Sequence, residues 1–225
     1  MPHGGGTLGA GVSEIFREIE DELRRDNLLK LWGRYGKYII AVVVLAVLAV
    51  AGFVGWRDHQ ATLRQAEGAQ YSGALALARA GKDADAAKDF AALAQQGSSG
   101  YGLPAAFQEA ELTAHSGDNK GAIAIYDKLA ASSTIDPEFR DLALLLSVMH
   151  GFPYADPKTA VARLAPLAAS GSPLRASALD LTAAAKLEAG DRAGALAIYQ
   201  KISDDLAAPQ ALRARAAELV AALKS

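Results

Sequence analysis

Residues 117–129 read GDNKGAIAIYDKL, and residues 190–202 read GDRAGALAIYQKI. Both stretches have a Gly, an Ala five residues later, an aromatic residue four after the Ala, and an aliphatic residue three further on. Residues 81–93, GKDADAAKDFAAL, repeat this spacing, and a weaker copy has Ala160, Leu164 and Leu167 at the matching positions. The four Ala residues are 36, 38 and 35 positions apart. The sequence therefore predicts a repeating structural unit of about 36 residues.

The marks within each unit predict two helices joined by a tight turn. Gly permits the left-handed conformation that ends a helix, a small Ala lets two helices cross closely, and the aromatic residue fills the space between units. Each unit also has a Pro before a run of helical periodicity, and Asp136 before Pro137 is an expected N-cap. No unit can bury its apolar face alone, so the units must stack. The four Pro residues are Pro104, Pro137, Pro173 and Pro209.

The spacing of Gly, Ala and aromatic residue resembles the tetratricopeptide repeat family. The resemblance covers residues 69–225, although the period is slightly longer than the family's and the third copy lacks the aromatic residue. It implies an all-α fold, a solenoid of about four helix pairs, closed by a capping helix over residues 209–223. Such solenoids bind other proteins, and the first helix of each pair lines their concave face.

An uncharged segment precedes the repeats. Residues 38–56 read YIIAVVVLAVLAVAGFVGW, which spans roughly 28 Å as a helix, close to the thickness of a bilayer core. Tyr38 and Trp56 stand at its ends, where aromatic rings prefer the membrane interface. The segment predicts one transmembrane helix. Because no Pro occurs between Tyr38 and Leu103, the helix is expected to continue through a connector at 57–68.

Flanking charges predict the orientation of this helix. Five cations lie in the 20 residues before it, and two lie in the 20 after it. Such an excess favours a cytoplasmic N-terminus, so the repeat domain is expected in the periplasm. A cleaved signal peptide is the alternative, but the apolar run is long for one and begins only after 37 residues. The cations are Arg24, Arg25, Lys30, Arg34 and Lys37 before the run, then Arg57 and Arg64.

The N-terminal residues divide into two parts. Residues 1–12 are rich in Gly and are expected to form a disordered leader. Residues 13–37 predict a cytoplasmic amphipathic helix that is capped by Ser13 and carries Ile15, Ile19 and Leu23 on one face. This helix is interpreted either as an interfacial helix or as a docking segment for a partner.

Composition excludes several function classes. The chain has no Cys, which removes disulfides, thiolate metal sites and a Cys nucleophile. A net charge of −2 argues against a nucleic-acid interface. No two of the four His residues stand three or four positions apart, and no catalytic motif occurs. We therefore expect no catalytic residue, metal or cofactor, and a protein that is not an enzyme.

The layout of the chain resembles a narrower family, the ancillary subunits of the Sec translocon. The resemblance rests on SEIFREIEDELR at 13–24, WGRYG at 32–36, the apolar segment and the repeats. It implies an inner-membrane adaptor whose partners are translocon subunits and periplasmic chaperones. Three alternatives are a scaffold for cell division or cytochrome assembly, an anchored enzyme with a convergent polar pocket, and an oligomerising protein with a large apolar patch.

Candidate partner-binding residues follow from the expectation that first helices line the concave face. Their helical positions select side chains on the first three such helices. For Tyr71 and Phe107 the alternative interpretation is a role in the core. The oligomeric state remains open. The candidates are Tyr71, Arg79, Phe107, Glu111 and Arg140.

Overall fold

The computed structural model describes residues 8–96, 100–152, 154–169 and 171–225, with side chains from residue 34 onward. Within these ranges the chain is all-α and has no strand, as predicted. The chain divides into two units, one that ends at Ala61 and one that runs from Thr62 to Ser225. The helices are α1 (Leu8–Arg79), α2 (Asp83–Gln96), α3 (Gly102–His115), α4 (Asn119–Ala131), α5 (Pro137–Gly151), α6 (Pro157–Ala169), α7 (Arg175–Glu188), α8 (Arg192–Asp204) and α9 (Gln210–Lys224).

Helix α1 begins earlier than the sequence predicted. It starts at Leu8, so that Ser13 lies inside the helix and not at its N-cap, and residues 8–12 are helical although their composition suggested a leader. Once a helix is nucleated, each added residue contributes a hydrogen bond at little further cost, so it extends past a weak start signal. Residues 1–7 lie outside the described residues, as do the side chains of Ile15, Ile19 and Leu23.

One part of α1 has the properties of a membrane span. All residues from Tyr38 to Trp56 are exposed, and the described part of the helix, Arg34–Arg79, is long and apolar enough to cross a bilayer. No other described helix meets that test. A soluble fold does not leave this many large apolar side chains in water, because their exposure is unfavourable.

The predicted repeat pattern is confirmed in residues 62–225. The end of α1 pairs with α2, α3 with α4, α5 with α6, and α7 with α8, while α9 covers the last pair. Each second helix buries the three residues that marked its repeat, and all twelve are at most 9% exposed. The weak third copy is buried like the others, since Leu164 takes the place of the aromatic residue. These residues are Ala86, Phe90, Leu93, Ala122, Tyr126, Leu129, Ala160, Leu164, Leu167, Ala195, Tyr199 and Ile202.

The turns within the pairs use Gly and Asp as expected. Gly117 has φ +96° and Gly190 has φ +79°, so both occupy the left-handed region that ends a helix. The following Asp residues cap the next helix: Asp118 Oδ1 accepts from Gly121 N at 2.9 Å, and Asp191 Oδ1 accepts from Gly194 N at 2.8 Å.

One predicted cap differs in detail. Asp136 stands at the N-cap of α5 with Pro137 in the first turn, but its side chain makes no capping hydrogen bond. Its backbone carbonyl accepts the hydrogen bonds of the first turn, from Phe139 N at 3.1 Å and Arg140 N at 3.2 Å. Pro137 has no N–H and its ring fixes φ, so this helix begins without a side-chain cap.

A candidate protein-binding groove on the first helices

Each first helix, and α9, carries at least one Ala that is at most 1% exposed. A side chain this small lets the helix backbones approach closely, so these Ala residues define the inward face of each helix. A residue three positions earlier lies about 60° around the helix, at the edge of that face. One such Ala from each helix defines the series: Ala74, Ala110, Ala143, Ala183 and Ala216.

The edge positions form a series that we call the first-helix stripe. All five members are half-buried, as their place beside the inward face requires. The first two are aromatic and the other three are charged. Three of the predicted binding candidates, Tyr71, Phe107 and Arg140, belong to the stripe. In chain order, the stripe consists of Tyr71, Phe107, Arg140, Asp180 and Arg213.

The aromatic part of the stripe lines an open groove with a volume of about 430 Å³. Tyr71 and Phe107 are brought together here with Phe139, which is 43% exposed. The groove therefore draws on the first helices of three successive pairs, α1, α3 and α5. The lining residues are Tyr71, Gly100, Leu103, Pro104, Phe107, Gln108, Phe139 and Leu142.

Neighbouring aromatic rings pack against Tyr71 and Phe107 on the side away from the groove. Tyr71 meets Phe90 edge-on with ring centroids 5.1 Å apart, and Tyr101 lies 5.6 Å from Tyr71. Phe107 lies 6.0 Å from the ring of Tyr126, which is 1% exposed. Such pairs add to the energy of burial and restrict ring rotation. Tyr71 and Phe107 thus contact the core and also line the groove, so the two interpretations from sequence are compatible.

The charged part of the stripe holds polar atoms without partners. Nε of Arg140, Oδ1 of Asp180 and Nε of Arg213 are buried and make no hydrogen bond in the described structure. Asp180 Oδ2 lies 3.4 Å from Nη1 of Arg215, which is 63% exposed. Burial raises the pKa of Asp180 above its ordinary value, and Arg215 partly opposes this effect.

The two remaining candidates lie outside the groove. Arg79 is the exposed last residue of α1. Glu111 is also exposed, and its Oε2 lies 3.4 Å from both Tyr126 Oη and His150 Nε2. His150 stacks on Tyr126 with ring centroids 5.5 Å apart. A 3.4 Å separation is long for a charge-assisted hydrogen bond, so Glu111 is placed beside these rings without being tightly held.

Sequence reasoning missed other residues of this surface. Phe139 and Leu142 were not selected, although they line the groove, and Asp180 and Arg213 complete the stripe. The signal was present in the spacing between each stripe residue and the small Ala that follows it. It could not be used before the structure showed which Ala residues are buried.

The main polar cluster away from the groove joins three helices. Ser147 Oγ donates to Asp127 Oδ1 at 2.5 Å, and Arg163 Nη2 donates to the same oxygen at 2.5 Å. Ser147 is fully buried, and its hydroxyl links α5 to α4 and α6. No group of three or more His, Asp or Glu residues that could hold a metal occurs among the described residues.

This chain belongs to the tetratricopeptide repeat-like domain family, whose model matches residues 30–221. The match includes the apolar part of α1 as well as the helix pairs. No curated protein and no solved structure matches the chain. A helical repeat of this family is typically a scaffold for protein interaction, which agrees with a groove built from apolar side chains on first helices.

Proposed function

We propose that this protein is a membrane-anchored adaptor that binds other proteins in the groove between α1, α3 and α5. The observation that carries this proposal is the groove itself. It exposes aromatic and aliphatic side chains from three successive first helices, and its aromatics are held rigidly by buried rings. Rigid aromatic anchors in a concave surface are the features that concentrate binding energy in protein interfaces.

The apolar segment of α1 supplies the anchor. Its exposed side chains from Tyr38 to Trp56 suit the hydrocarbon core, and cations such as Arg34 and Lys37 precede it in excess over those that follow. The N-terminus then lies in the cytoplasm of a bacterial cell, and the repeat domain lies in the periplasm. Partners would meet the groove outside the inner membrane.

The absence of Cys from the natural sequence makes this topology easy to test. Ser133→Cys introduces one thiol at an exposed loop of the repeat domain, and Ser13→Cys introduces one in the N-terminal tail. A maleimide that cannot cross membranes should label Ser133→Cys in cells with a permeabilised outer membrane. It should label Ser13→Cys only after lysis. The reverse pattern would overturn the orientation.

The most specific form of this proposal is an ancillary subunit of the Sec translocon that links the channel to periplasmic chaperones. Its support is the resemblance of the tail segments 13–24 and 32–36, followed by one apolar segment and the repeats. Substrate chains that leave the channel expose apolar side chains, and a groove of this composition suits chaperones and clients of that kind.

Photo-crosslinking in native membranes tests both levels of the proposal. A photoreactive residue at Phe139 would report the groove, and one at Ala197, exposed on the second helix α8, is the matched control. We expect adducts from Phe139 that include channel subunits, and few from Ala197. If the Phe139 adducts contain other proteins but never channel subunits, the Sec assignment fails. If both positions give the same weak background, the groove is not a binding site.

A further inference from the structure

The charged half of the first-helix stripe holds buried polar atoms that make no hydrogen bond in the described structure. Four buried side-chain polar atoms lack a hydrogen-bond partner, on Arg140, His150, Asp180 and Arg213. Three of the four belong to the stripe, and no second helix carries one. A buried polar group without a partner is costly, so proteins rarely keep one unless another molecule satisfies it.

The charges in this half do not balance. Asp180 is engaged by Arg215 at 3.4 Å. Arg140 and Arg213 make no ion pair within the described part of the chain, although both residues are half-buried and the Nε of each is buried. The two cations of α7 are paired, Arg175 with Asp205 at 2.9 Å and Lys186 with Asp191 at 2.6 Å. The stripe therefore presents two unneutralised arginines, which favour a carboxylate-bearing partner.

Helix α5 joins the two halves of the stripe. Phe139 lines the apolar groove, and the next residue, Arg140, begins the charged series. Consecutive residues point about 100° apart around a helix, so a bound segment must extend beyond Phe139 along the stripe to meet the first arginine. Its continuation along α7 and α9 would meet Asp180 and then Arg213.

We propose that the groove selects an acidic segment with an apolar anchor, an inference that rests on the proposed function. Leu, Phe or Trp side chains of the partner enter among Tyr71, Phe107 and Phe139. Asp or Glu side chains on one side of that anchor accept hydrogen bonds from Arg140 and Arg213. A backbone N–H or a polar side chain of the same segment donates to Asp180.

A displayed library of short random peptides tests this chemistry without assuming a partner. The full chain is held in lipid nanodiscs, and empty nanodiscs remove lipid-binding sequences. Fusion of each peptide through its C-terminus leaves only side-chain carboxylates available. We expect enriched peptides to combine bulky apolar residues with Asp or Glu on one consistent side.

Variants then assign the contacts. Arg140→Gln and Arg213→Gln should each weaken binding of an enriched peptide by about tenfold, the loss expected for one charge-assisted hydrogen bond. Lys88→Gln, which removes an exposed cation from the second helix α2, should leave binding unchanged. Arg140→Lys keeps the charge without the guanidinium fork and should give an intermediate loss. Circular dichroism confirms that each variant is folded.

The outcomes separate this inference from the proposed function. Enriched peptides that are basic or uniformly apolar, or that bind both arginine variants as tightly as the natural chain, would overturn the acidic selectivity. If Phe139→Ser still weakened their binding, the groove would stand as a protein-binding site. If no peptide is enriched over empty nanodiscs, the selectivity and the binding groove both fail.

Discussion

Arg192, near the start of α8, closes the end of α9 by donating to the carbonyl oxygen of Leu223. Its Nη2 lies 2.8 Å from this oxygen and its Nε lies 3.1 Å from it, while Nη2 also reaches Ala222 O at 3.3 Å. The last carbonyls of a helix have no partner within the helix, and they carry its negative partial charge. One guanidinium thus satisfies the terminal acceptors of the capping helix and ties it to the pair beneath.

The first prediction concerns this contact. Arg192→Gln should lower the free energy of unfolding by about 1 kcal/mol, because the terminal carbonyls lose a charged donor that is itself exposed. Hydrogen exchange should show faster opening of the last turn of α9, with little change in α3 or α4. Lys201→Gln removes an exposed cation from the same helix α8 and serves as the control. Equal protection of α9 in the natural chain and in Arg192→Gln would contradict the assigned role.

The second prediction concerns the turn glycines. Gly117 has φ +96° and open space around it, so Gly117→Ala should cost about 1–2 kcal/mol through backbone strain and not through collision. Gly171 also has open space but no positive φ, so Gly171→Ala should be neutral or slightly stabilising. Thermal melts followed by circular dichroism suit this comparison, because the two Trp residues, Trp32 and Trp56, lie outside the helix pairs. Equal melting temperatures for the two variants would refute the strain argument.

The part of this fold that can be predicted from sequence is the part that depends on the spacing of residues close together in the chain. A fixed distance from Gly to Ala to aromatic residue located the second helices, and the substitution of Leu164 for an aromatic residue did not disturb the burial of the third copy. The predicted start of α1 was wrong. A cap signal at Ser13 does not stop a helix that can extend past it, and α1 begins at Leu8.

The candidate site was less predictable because it depends on packing between units. Tyr71 and Phe107 were selected by helical position, and the structure places both in one groove. Phe139 looked like any apolar residue of α5, and only the packing of that helix leaves it 43% exposed. Asp180 and Arg213 carried no sequence signal of their own. Their shared position in the first-helix stripe can be recognised only from the burial of Ala183 and Ala216.

The third prediction links the stripe to stability. Burial raises the pKa of Asp180 above 3.8, so the folded state binds this proton more tightly than the unfolded state does. The stabilising contribution of the protonated form is complete below the ordinary pKa and is lost as the pH rises through the raised value. Asp180→Asn should therefore melt at a higher temperature than the natural chain at pH 7, by about 2–4 °C. The difference should shrink as the pH falls towards the ordinary pKa of a carboxyl group. A difference that is independent of pH would show that burial of the charge is not its cause.

The fourth prediction concerns Asp191, whose pKa is shifted in the opposite direction from that of Asp180. The Lys186 ammonium, which lies 2.6 Å away, and the N–H of Gly194 lower the pKa of Asp191 below 3.8. Asp191 thus stabilises the folded state above its ordinary pKa, and this contribution is lost as the pH falls through the lowered value. Asp191→Asn keeps an oxygen for Gly194 N but loses the charge, so it should melt below the natural chain at pH 7.

Acidification should therefore move the two variants towards the natural chain from opposite directions. The gain of Asp180→Asn and the loss of Asp191→Asn both require an ionised carboxylate in the natural protein, and each disappears when that group is protonated. General acid unfolding cannot imitate this result, because it would shift all three proteins the same way. Urea midpoints measured across the range from neutral to acidic pH provide the test. If both differences had the same sign at neutral pH, the opposing assignments of burial at Asp180 and capping at Asp191 would be wrong.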